Sequence, residues 1–139
     1  MTFADTITLP RKFRVAEEQA TRKGWPFTLF ALIEREDTPG QWDLVVSATW
    51  AHSDREGIAH IIKVLSSEDL TTIDWFLISR IVPLDPSDEF VQMIARLFPT
   101  EHGMREIPAG ILGETRINHA VIITARSTQV PEQVALAAG

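Results

Sequence analysis

The stretch whose reading decides the fold is residues 25–50, WPFTLFALIEREDTPGQWDLVVSATW, two strand-like runs about a turn. In the second run Trp42, Leu44, Val46, Ala48 and Trp50 fall on one face and Asp43, Val45, Ser47 and Thr49 on the other, the period of two of a β-strand. Trp42 and Trp50 therefore point the same way. The first run, Phe27–Arg35, is apolar on both faces, through Leu29, Ala31 and Ile33 on one and Phe30 and Leu32 on the other, as an interior strand is. The second run has one mixed face, which places it at the sheet edge. Between them Asp37-Thr38-Pro39-Gly40 is turn chemistry and predicts a hairpin loop of roughly four to six residues.

Upstream, Pro10 suits a first helical turn, Phe13, Ala16 and Ala20 follow at helical spacing, and Gly24 closes a helix over residues 10–23. Downstream, Ser53 and Glu56 fit a capping box that opens a helix reaching Leu65, with Ile58, Ile61, Ile62 and Leu65 as its core stripe. Ser66-Ser67-Glu68-Asp69 has the form of a second helix start. Residues 74–84 then read as one or two helical turns followed by a strand, since the later part is rich in β-branched residues and meets Pro83. Asp85-Pro86-Ser87-Asp88 predicts another helix with Asp85 as its cap and Phe90, Met93, Ile94 and Leu97 inward. Residues 100–108 read as irregular, and 111–116 with 118–126 as terminal strands.

This order gives an α+β fold, a mixed, mainly antiparallel sheet of about four to five strands with an N-terminal β-hairpin and two to four helices packed against it. Residues 1–126 form one domain, and 127–139 are expected as a flexible or docking tail.

The chain has 139 residues, 45% of them apolar and 23% charged, the composition of a globular domain that needs no staples. It has no cysteine, which excludes disulfides, thiolate catalysis and cysteine-based metal sites and permits a reducing compartment, so a cytoplasmic location is expected. A formal net charge of −6 disfavours broad nucleic-acid binding. No apolar run is long enough to cross a bilayer, and residues 1–5 lack the head of a signal peptide. No motif calls for a cofactor or a metal; His52 and His60 stand eight apart, outside the i, i+4 spacing of helical metal ligands.

The polar segment Glu101-His102-Gly103-Met104-Arg105-Glu106 offers an acid/base histidine and an anion clamp. Its ordinary alternative is a solvated loop. His119 at the start of the last strand could complete a two-imidazole site, against the commoner role of a half-buried, hydrogen-bonded histidine. Arg80, inside an otherwise apolar strand, must emerge from the sheet or find a carboxylate, from Asp74 or from a neighbouring strand.

Two readings follow. The first is a non-enzymatic protein-interaction or regulatory domain, oligomeric or paired with a protein partner, using Trp42 and Trp50 as interface residues. The second is a small enzyme or ligand-binding protein for an anionic substrate, with His102 and His119 as catalytic acid and base and Arg80, Arg105 and Glu101 as ligand contacts. Convergence of His102, His119, Arg80 and Arg105 on one pocket is what the second requires.

Overall fold

The first run is apolar on both faces because both are covered. The structure, a computed structural model, describes residues 3–66 and 70–127, with side chains from Thr8 onward. In chain order the elements are α1 (Phe3–Arg22), β1 (Leu29–Arg35), β2 (Trp42–Ser47), α2 (Arg55–Leu65), α3 (Thr72–Phe76), β3 (Ile78–Leu84), α4 (Glu89–Leu97), β4 (Arg105–Ile107), β5 (Gly110–Leu112) and β6 (Thr115–Ala125). They build one mixed sheet in the order β3-β2-β1-β6-β4, with β5 also paired to β6. Only β2–β3 is parallel. The α+β class and the β1–β2 hairpin are as the sequence predicts, and 128–139, nearly all of the expected tail, lie outside the described residues.

One face of the sheet carries Phe30, Leu32, Leu44, Val46, Val121 and Ile123 against Phe13, Ala16 and Ala20 of α1 and Ile61 and Leu65 of α2. The other carries Leu29, Ala31, Ile33, Val45, Ile117 and Ile122 against Val91 and Ile94 of α4. Each fully buried Leu, Ile or Phe in these layers contributes about 1.5–3 kcal/mol through removal from water. This second layer also corrects the edge assignment. The chain returns through α2 and α3, a crossover long enough to lay β3 parallel beside β2, so β2 is interior. The edge is β3, where Pro83 is tolerated because an edge strand can spare an N–H.

Three helix starts shift. α1 begins upstream of Pro10, which lies inside it, while Leu9, Phe13, Ala16 and Ala20 keep the buried stripe. α2 is capped by Asp54, whose carboxylate accepts from Gly57 N at 3.0 Å, rather than by Ser53; Ile62 faces out and Gly57 faces in. α4 is capped by Asp88, because Asp85 spends its carboxylate on Ser87 in the preceding turn. Leu97, expected inside, is exposed. Part of the proposed Ser66–Asp69 start, residues 67–69, lies outside the described residues, and Ser66 closes α2. The following helix opens instead at Thr71, in a reciprocal capping box with Asp74. The 100–108 segment contains β4, which the sequence does not reveal. No helix among the described residues is long and apolar enough to cross a membrane.

Two expected outcomes follow from these caps. A Cβ at Gly57 would meet His52 O at 1.7 Å, so Gly57→Ala reverses the usual gain of about 1 kcal/mol for this exchange in a helix and costs roughly 1–3 kcal/mol by urea denaturation. Burial pushes the Asp74 carboxyl up, but the Thr71 N–H, the Lys12 ammonium at 3.2 Å and the Thr71 hydroxyl outweigh it and hold it below its ordinary 3.8. Its stabilisation is complete above the unfolded value and is lost as pH falls through the lower folded value. The stability gap between wild type and Asp74→Ala, measured by denaturation from pH 7 downward, should therefore close below about pH 4.

Candidate functional site

The register of three adjacent strands sets Ile33, Asp43 and Arg80 opposite one another on the α4 side of the sheet, with Arg35 two positions along β1. Asp43 is 3% exposed. Its Oδ2 accepts from Arg35 Nε at 2.7 Å and from Arg80 Nε at 3.0 Å, while its Oδ1, shut off from water, has no partner. Arg35 is also tied to Asp37 at 3.1 Å, whereas Arg80, with a side chain 56% exposed, makes no other protein bond among the described residues. A neighbouring strand's acid is thus the Arg80 partner, and Asp74 belongs to Lys12.

This charged row closes one end of a cavity of about 230 Å3 between sheet and α4. Ile33, Val45, Val82, Leu84 and Ile117 of the sheet line it together with Phe90 and Leu112, and Asp88 and Thr115 also border it. Arg35, Arg80 and Thr115 are shared with an outer, polar basin of about 490 Å3 that adds Glu36, Asp37, Glu114 and Arg116. The result is a partly open, mainly apolar pocket bordered by charged side chains, features of a small-molecule site.

His102 belongs to a different construction on the opposite face. Glu17, fully buried on α1, holds His102 Nδ1 at 2.6 Å and Thr124 Oγ1 at 2.9 Å, and Thr21 Oγ1 adds a longer bond. A register shift opposite Phe30 and Ala31 inserts an extra residue in β6 and turns Thr124 toward Phe30 and α1, where strict alternation would have left it facing α4. The surrounding segment is stitched to the same strand: His102 N donates to Thr124 Oγ1, Gly103 N to Ile123 O, and Thr100 pairs with Ala125. His102 sits at φ 51, a left-handed conformation held by this network.

The remaining predicted residues do not join either group. His119 pairs with Glu106 at 3.2 Å and packs on Trp42, five positions along β6 from Thr124 and so about 15 Å from the His102 attachment. Arg105 lies over the Phe98 ring at 5.6 Å, on the strand at the opposite edge from Arg80, about 19 Å across four strand spacings. Glu101 meets Arg126. The structure does not bring His102, His119, Arg80 and Arg105 to one pocket. Trp42 is 7% exposed within the core. Trp50 is half-buried, donates to Pro26 O and packs edgewise with Trp25, Phe27 and His60, with ring centroids about 5 Å apart. Both tryptophans named for an interface serve the chain's own packing.

Sequence reasoning missed Asp43, Arg35 and Glu17. Glu17 carried a signal, since it falls four after Phe13 on the apolar stripe of α1. Asp43 carried another, a lone acid beside Val45 and Ser47 on a strand face. Among the described residues no group of side chains is suited to holding a metal ion. No family model, curated protein or solved structure matches the chain.

The asymmetric pairing at Asp43 gives a stability test. Asp43→Ala empties a buried position, leaves Arg35 with Asp37 alone and should cost roughly 2–4 kcal/mol, whereas Arg80→Ala leaves Arg35 on the carboxylate and should cost under about 1 kcal/mol, both by chemical denaturation.

Proposed function

We propose that this chain is a ligand-binding domain with a regulatory rather than an acid/base role, and that its ligand is a small amphipathic molecule with an acidic group. The observation that carries the reading is Arg80, which borders a cavity beside the buried, half-paired carboxylate of Asp43 and whose terminal nitrogens have no protein partner among the described residues. The apolar chamber takes the body of the ligand and Arg80 its acid, a charge-assisted contact of about 1.5–3 kcal/mol. The separation of His102 from His119 favours this reading over two-imidazole catalysis. A cytoplasmic setting accords with the absence of cysteine.

Titration of methyl-labelled protein with 4-methylpentanoate tests this. Shifts should gather on Ile33, Val45, Val82, Leu84 and Ile117, vanish in Val82→Phe, which fills the chamber, and weaken about tenfold in Arg80→Met. Shifts confined to other surfaces would overturn the reading.

A second reading, self-association through a protein-binding surface, draws on α3. Ile73 and Phe76 are 73% and 76% exposed, with Leu77 beside them and the unpaired edge of β3 adjoining. It expects a concentration-dependent dimer in sedimentation that Phe76→Glu converts to monomer; a wild-type monomer at all concentrations ends it.

A further inference from the structure

We infer that the ligand of this cavity is a zwitterion with an aliphatic tail, a free α-amino acid with a branched side chain being the simplest member of the class. The inference rests on the ligand-binding reading above and goes beyond it by requiring a cationic donor as well as an acid.

The charges around the chamber are balanced. Arg35 and Arg80 face Asp43 and Asp88, so the site offers no net attraction to a simple anion. What it offers is separation of sign. Both arginines bond the same oxygen, Asp43 Oδ2, and Oδ1 is left 97% buried side chain with no donor. A carboxylate oxygen in that condition costs about 1–3 kcal/mol, which a ligand N–H recovers on binding. Arg80 supplies the complementary half. Its Nε is engaged and its terminal nitrogens are open to a second carboxylate, while Arg35 is fixed between Asp43 and Asp37. Arg80, being the more exposed, is also the lining cation that moves most easily to admit an ammonium to Oδ1. An ammonium and a carboxylate on one carbon reach neighbouring acid and guanidinium groups together.

Size argues the same way. The chamber's volume of about 230 Å3 lies below the roughly 300–1,000 Å3 of sites for drug-sized ligands. Its Ile33, Val45, Val82, Phe90, Leu112 and Ile117 lining suits a branched hydrocarbon.

The test uses the full chain, methyl-labelled, with three probes of one carbon skeleton: L-leucine, 4-methylpentanoate without the ammonium, and 3-methylbutan-1-amine without the carboxylate. L-Leucine should bind at least about tenfold more tightly than either truncated probe, the worth of one charged contact. Arg80→Met should weaken L-leucine about tenfold while the amine, which no longer needs Arg80 to move aside, binds at least as tightly as it does to wild type; circular dichroism of the variant confirms that it is folded. If 4-methylpentanoate binds the cavity as tightly as L-leucine, or Arg80→Met leaves L-leucine binding intact, the zwitterion is overturned while the cavity remains a ligand site. If none of the three probes shifts the cavity methyls, both the ligand class and the ligand-binding reading are overturned.

Discussion

Two carboxylates are withdrawn from water on opposite faces of one sheet, and the need to neutralise each in place organises what surrounds it. Removing an unpaired carboxylate from water is far costlier than any single contact in the core returns. Glu17 meets that demand completely. It takes the His102 imidazole and the Thr124 and Thr21 hydroxyls, and in doing so ties α1, the segment at 100–103 and β6 together. Asp43 meets it by half. The contrast between a saturated and an unsaturated buried acid is what directs the proposed ligand site to Asp43, whereas His102, a histidine beside a glutamate, ties three elements together.

The same contrast explains what the sequence disclosed. The hairpin, the helix after Thr49 and the passage from α3 into β3 were legible because each rests on local chemistry: strand alternation, turn residues, side chains competing for helix-end amides. Caps moved by one to three residues where two candidates stood close together, as Ser53 with Asp54 and Asp85 with Asp88. The edge strand was misjudged because one face of β2 reads as mixed. Asp43 and Ser47 look solvent-directed in sequence and are in fact buried, on the sheet face against which the later α4 packs.

The site was less legible for a related reason. Arg80 drew attention as a charge among apolar neighbours, and its need for a carboxylate was evident. Which carboxylate depends on β3 lying parallel to β2, a pairing made only after α2 and α3 have crossed the sheet. His102 and His119 share a strand's neighbourhood but not a location. Thr124 is the subtlest case: alternation puts it on the α4 face, and the extra residue in β6 brings it round to α1.

That strand also governs the order in which the molecule can be completed. β6 is bonded along one side to β1, more than eighty residues earlier, and along the other to β4, β5 and Thr100. Until residues 115–125 arrive, β1 has an open apolar flank and Glu17 lacks its threonine from β6. Contacts of such long sequence separation form slowly, because the loop must close before they return anything. The sheet is therefore keyed from β6: the hairpin can assemble early, but the strand that joins it to β4 and β5 is filled last, and a chain halted before β6 would display both an adhesive strand edge and a buried charge without its full complement.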